Sequence, residues 1–142
     1  MTITLLDPIA VAGGHLSTSW DNTKTSGITP SFEIKSEFIR DRETYKIIYY
    51  LTERGIGEIG RGSYKDWTDL LTIEVRVKDN TSDTKYNQMV QEVLRIIGLK
   101  KIAPGGGYDY WTYVDIRDES QRGHNWYRSI IRTELKAYGR EV

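Results

Sequence analysis

The sequence contains no cysteine, two histidines, two phenylalanines and three prolines among its 142 residues. Without cysteine, disulfides and thiolate metal sites are excluded, and nothing follows about the compartment. The histidines, His15 and His124, stand far apart and match neither an H-x-x-x-H nor an H-E-x-x-H spacing. A zinc site therefore has little support. No run approaches the roughly 18 apolar residues that a membrane-spanning helix needs. The opening stretch, Met1 to Ala12, is apolar but lacks a basic n-region and is broken by Asp7 and Pro8. It is not expected to act as a signal peptide. Charge of one sign is also missing: 20 basic residues cancel 20 acidic ones. A dedicated nucleic-acid binder usually carries a basic excess, although net charge says nothing about local patches.

Tyrosine and tryptophan, by contrast, are plentiful, with ten and four copies. Such amphipathic rings suit half-buried sheet faces and protein interfaces, and ordinary β-rich packing explains them equally well. A chain of this length is expected to form one domain with its own core. Residues 1–31 read as an N-terminal arm, because Gly13-Gly14 and the polar run Ser17 to Gly27 argue against a long element. Within it Leu5, Ile9 and Val11 fit either a short strand or a helical turn, and Trp20 stands alone as an anchor. Residues 32–142 read as the folded domain.

The clearest unit runs from Asp69 to Gly98. Leu71, Ile73, Val75 and Val77 alternate with Thr72, Glu74, Arg76 and Lys78, the period of two of a strand with one dry and one wet face. Tyr86, Met89, Val90, Val93, Leu94 and Ile97 then recur at helical spacing. Ser82 or Asp83 can cap that helix and Gly98 can end it. Upstream, Phe32, Ile34 and Phe38 alternate with charged residues, and Tyr45 to Leu51 is aromatic and β-branched. These two predicted strands make a hairpin around the charged turn Arg40 to Glu43. Residues 53–68 read as a glycine-rich connection and Ala103 to Gly107 as a flexible loop. Tyr108 to Ile116 and Trp126 to Tyr138 are the closing strands. In the last one, Tyr127, Ser129, Ile131, Thr133, Leu135 and Ala137 share a face. Strands grouped on either side of one main helix predict an α+β fold with a mostly antiparallel sheet and the helix on one face.

Motifs that carry chemistry are weak. Gly55, Gly57, Gly60 and Gly62 spell G-x-G-x-x-G-x-G, a spacing that lets backbone amides approach phosphate. The helix of a dinucleotide site does not follow, and the lysine and aspartates of a kinase are absent. Glu74-Val75-Arg76, with Asp66 or Asp69 upstream, has a distant likeness to the acidic-plus-lysine core of metal-dependent nucleases, yet any wet strand face shows alternating charge. Asp109, Asp115, Asp118 and Glu119 cluster without calcium-loop spacing. Arg117, Arg122, Trp126, Tyr127, Arg128 and Arg132 combine the residue types enriched at interface hot spots. They also suit a nucleic-acid backbone, but the neutral total charge favours protein contact.

As a whole the pattern resembles the tail terminator or tail-completion (neck) proteins of long-tailed bacteriophages and archaeal tailed viruses. The resemblance covers roughly Phe32 to Tyr138. It is carried by YKIIYYL, by DLLTIEVRV led in by Trp67, by the helix NQMVQEVLRIIG, and by the closing YWTYVDIRDESQRGHNWYRSIIRTELKAY. The Trp20…Thr29-Pro30 entry is similar to the leader of the archaeal-virus members. The resemblance implies a non-enzymatic, homohexameric ring that caps the tail tube and docks it to the head connector. It implies no cofactor, no membrane, a place in the virion neck after synthesis in the host cytoplasm, and DNA that only passes through the lumen. Arg76, Lys78, Arg117, Arg122, Trp126, Arg128, Arg132 and Lys136 then become interface or lumen candidates. Gly55, Gly57, Gly60, Gly62, Gly105, Gly106 and Gly107 become contacts to tube or connector. A small metal-dependent nuclease and a host protein-binding module are the alternatives.

Overall fold

The computed structural model describes residues 6–35, 44–58, 64–78 and 83–141. Among these residues six strands form one curled, mixed sheet: β1 (Ser31–Ile34), β2 (Tyr45–Glu58), β3 (Tyr64–Lys78), β4 (Ile102–Gly105), β5 (Tyr108–Asp118) and β6 (Trp126–Glu141). Their order is β1-β2-β3-β6-β5-β4. The fold is α+β, and every pairing but β1–β2 is antiparallel.

The alternation in β3 and β6 does what a period of two dictates. Leu71, Ile73, Val75 and Val77 meet Thr133, Ile131, Ser129 and Tyr127 across the ladder, and all are buried. Both helices, α1 (Pro8–Ser19) and α2 (Asp83–Leu99), pack on that face. The apolar stripe of α2 buries Tyr86, Met89, Val93 and Ile97 as its spacing predicts. Ile96 and Glu92 are buried as well, while Val90 and Leu94 are half-buried. The helix runs one residue past Gly98.

Three expectations for the chain before α2 are corrected. The stretch expected to hold no long element contains the 12-residue helix α1. Asp7 caps it by accepting the Ala10 N–H at 3.1 Å, and Pro8 supplies a preset first turn. Ala12 and Leu16 are fully buried, so sheet contacts offset the poor helix propensity of Gly13 and Gly14. The predicted hairpin between the first two strands is instead a parallel pair, Ser31 opposite Lys46 through Ile34 opposite Tyr49; Phe38 and Arg40 to Glu43 lie outside the described residues. The glycine-rich connection is mostly strand. Gly55 and Gly57 sit opposite Thr68 and Asp66 in a β2–β3 ladder that continues to Glu58 and Lys65.

The expected loop at Ala103 to Gly107 is β4 and a tight turn packed against α1. Gly106 has φ +63, and a Cβ there would stand 2.4 Å from Val11 Cγ2. Next to it, Pro104 O accepts from His15 Nε2 at 2.5 Å. On the same helix-covered face Asp69 is fully buried in β3. It receives Arg54 Nε at 2.7 Å and Nη2 at 3.0 Å, together with the Tyr108 hydroxyl. This ties β2, β3 and β5 together. Burial, then the bond to Asp69, push the Tyr108 hydroxyl far above its ordinary range.

Candidate functional site

Among the described residues the opposite face of the sheet carries no helix, and there the charged residues converge. The centre of this face is a trough of side chains withdrawn from solvent. Ile48 and Glu74 are fully buried although neither belongs to the helix-covered core, and Lys46 is 1% exposed. Glu74 was expected on a wet surface. The structure corrects this: neighbouring long side chains close over it. Glu74 Oε1 accepts from Arg128 Nε and Nη2, each at 2.5 Å, and from Arg76 Nη2 at 3.2 Å. Burial alone raises the Glu74 carboxyl, but Arg76 and Arg128 outweigh it and hold the group below its ordinary range. Burial, and then the Glu74 carboxylate, push the Tyr50 hydroxyl up to about 12. Glu74 Oε2 and Arg76 Nε have no hydrogen-bond partner among the described residues.

The pairing continues outward. Lys46 Nζ lies 3.3 Å from Glu33 on β1. Arg128 also reaches Glu119 at 3.5 Å, and Arg117 meets Glu119 at 2.8 Å. Arg132 binds Asp115 through both its Nε and Nη2, which lowers the Asp115 carboxyl. Lys136 stands 3.5 Å from Glu134. Asp115, Ile116, Arg117, Ile130 and Arg132 line an open pocket of about 360 Å³ at the β5 side of the trough. The face is therefore a mosaic of matched charges. An acid placed next to each arginine lowers the field any passing polyanion meets.

The sheet brings Arg76, Lys78, Arg117, Arg128, Arg132 and Lys136 to this one face, because each alternates with a core-facing neighbour. Trp126 lies at its end opposite Lys78. Arg122 is apart. It sits in the turn between β5 and β6, with Asp118 at 2.8 Å and Asp83 of α2 at 3.4 Å, over the Tyr127 ring. Of the glycine candidates, Gly55 and Gly57 are exposed in β2, and Gly60 and Gly62 lie outside the described residues. Gly105, Gly106 and Gly107 form the turn that backs onto α1. Tyr50, Lys46, Glu33 and Ile48 belong to the trough but were not singled out by sequence. For the three β2 residues the only signal was a strand apolar on both faces, and for Glu33 it was the alternation with Phe32 and Ile34.

The competing chemistries find little geometry. The nuclease-like Glu74 is clasped by two arginines, and Asp69 points to the other face, bound by Arg54 and Tyr108. Asp109 accepts the Tyr138 N–H, and Asp118 binds Arg122 and Ser120. No group of three or more metal-binding side chains converges among the described residues. No described helix is long and apolar enough to cross a membrane.

No family model matches the sequence, and no curated protein matches it. Among solved structures, a chain from the virion of a native gene transfer agent (GTA) particle shares the fold with a TM-score of 0.64. The likeness spans 93% of this chain and 95% of that one, at 9% sequence identity. At such identity the likeness is one of fold.

Proposed function

We propose that this chain is a structural protein of a virion or virion-like particle, working as a tail terminator or head–tail joining (neck) ring. The observation that carries the reading is the shared fold, end to end, with a chain of a gene transfer agent virion. The sequence resemblance to tail-completion proteins points the same way and is independent of it. In this reading identical subunits, six by the resemblance, close a ring on the head-proximal end of the tail tube. The ring stops tube growth and docks the tail to the head connector. The protein catalyses nothing, and its partners are other copies of itself, the tube protein and the connector.

The trough suits a lumen or subunit-facing wall. A wall past which DNA slides must not hold it, and phosphate binding grows with each uncompensated cation. Here Arg76 and Arg128 share Glu74, Arg132 has Asp115, and Lys136 has Glu134. The test is deletion of the gene in particle-producing cells. The expected result is tails of unregulated length and heads left unjoined, restored by supplying the protein in trans. Normal joined particles after deletion would overturn the reading.

A further inference from the structure

The two outer strands of the sheet are each covered over only part of their length. β1 pairs with β2 from Lys46 to Tyr49. Beyond that, Tyr50 to Glu58 has no backbone partner on its outer side among the described residues. On the far side, β4 covers β5 at Tyr108 and Tyr110, and Lys101 O takes the Trp111 N–H. Thr112 to Asp118 is then open among the described residues. Open strand edges with exposed apolar side chains invite another strand, and Tyr113 and Ile56 are both 48% exposed.

We infer that the β5 edge of one copy pairs antiparallel with the β2 edge of a second copy, with Arg117 opposite Glu53 and Tyr113 opposite Ile56. This deepens the proposed ring and rests on that reading for the identity of the partner.

Three observations fix this register. The first is direction. β2, β3, β6 and β5 are joined by three antiparallel steps, so β2 and β5 run oppositely. A copy added by rotation, without inversion, therefore continues the sheet antiparallel.

The second is hydrogen-bond phase. Glu119 N–H bonds inward to Arg128 O, so alternation turns the backbone of Ile116 outward. Trp111 bonds outward to Lys101, so Tyr113 also turns outward, and the bulge at Val114 absorbs the change of phase. On β2, Tyr49 O accepts outward from Lys35. Past the bulge between Leu51 and Glu53, this makes Arg54 and Ile56 the outward residues. In the stated register Ile116 meets Arg54 and Tyr113 meets Ile56, outward against outward.

The third is face and charge. Tyr113 and Ile56 lie opposite Thr133 and Trp67, both on the helix-covered face. Arg117 and Glu53 lie opposite Ile130 and Leu70, both on the trough face. Apolar meets apolar and cation meets anion, each on its own face. The contact is heterologous, using two different edges, so it propagates from copy to copy about an axis, the kind of contact from which a ring is built when the rotation closes. It also carries the charged trough continuously from one copy to the next.

The absence of cysteine gives a clean test. Tyr113→Cys/Ile56→Cys protein, oxidised and run without reductant, is expected to give a ladder of covalent oligomers. A mixture of the two single variants is expected to stop at dimers. Separately, Arg117→Glu should weaken self-association at least tenfold in sedimentation velocity, with folding checked by circular dichroism. Adding Glu53→Arg should restore it. Self-association with no cross-link and no response to the charge swap would overturn the edge contact while leaving a ring built another way. A chain that stays monomeric at every concentration, alone and on tail tubes, would overturn both.

Discussion

Replacing Glu74 by glutamine keeps the shape of the side chain and removes its charge, which isolates the electrostatic core of the trough. In the native protein this carboxylate is fully buried and neutralises Arg76 and Arg128, whose side chains are 19% and 25% exposed. Removing one partner of a buried ion pair typically costs about 3–5 kcal/mol, because the other charge stays buried and unmatched. Here the arginines keep some water, Arg128 keeps Glu119 at 3.5 Å, and the glutamine oxygen can still accept. The loss should fall below that range, at about 2–3 kcal/mol, or a drop in Tm of roughly 10 °C for a chain of this size. Urea unfolding at pH 7 measures it. The sign of its pH dependence is also determined. The folded-state pKa of Glu74 lies below its ordinary value of 4.5, so the carboxylate stabilises the fold above that pH. As pH falls through the depressed folded pKa, that contribution disappears, and wild type and Glu74→Gln should converge. A difference under about 0.5 kcal/mol at pH 7, or one that persists unchanged into acid, would refute the view that the trough is held by this ion cluster.

Other outcomes follow from the same geometry. Asp69→Ala strands Arg54 and the Tyr108 hydroxyl in a buried site and should cost about 3 kcal/mol by urea unfolding. The Arg54→Met/Asp69→Leu double variant should lose much less, since an apolar pair replaces both charges. Gly106→Ala sets a Cβ against Val11 at a left-handed φ, and a loss of about 1–3 kcal/mol is expected in the same assay. Arg132→Ala removes a pair that is half-exposed on both sides, so no measurable change in Tm is expected; a large drop would mean that the trough is far drier than its accessibility indicates.

How far residues announce their structure differs between elements, for physical reasons. β3, β6 and α2 are readable because one face of each packs on the core, and burial of one face is what a period of two or 3.6 records. α1 is obscured because Gly13 and Gly14 lower its propensity, and its stability comes from sheet contacts that no local window contains. Gly55 and Gly57 read as a loop, yet they sit inside a long hairpin whose partner residues, Thr68 and Asp66, hold them extended. Parallel pairing of β1 is invisible to a rule in which neighbouring strands fold back on each other. Arg76 and Lys78, and separately Arg128, Arg132 and Lys136, were identifiable as the wet faces of two alternating strands, whereas Arg117 and Arg122 read as a charged tip. The neutralisation of Arg128 and Arg132 was not identifiable, because the acids that match them, Glu74, Glu119 and Asp115, come from other strands and turns and meet them only through the sheet register.

The register also explains why Glu74 was misplaced at the sequence level. A charged residue alternating with valines looks solvated, but curling turns the centre of an uncovered sheet face into an interior when arginines lie on either side.

The central claim is that this chain sits as a ring at the junction of head and tail. Symmetric cryo-electron microscopy of purified particles tests it most directly. Copies of this chain are expected at the head-proximal end of the tail tube, joined edge to edge, with the trough facing the lumen or the adjoining copy. Particles that are complete and infective or transfer-competent with no copy of the chain in them would contradict it.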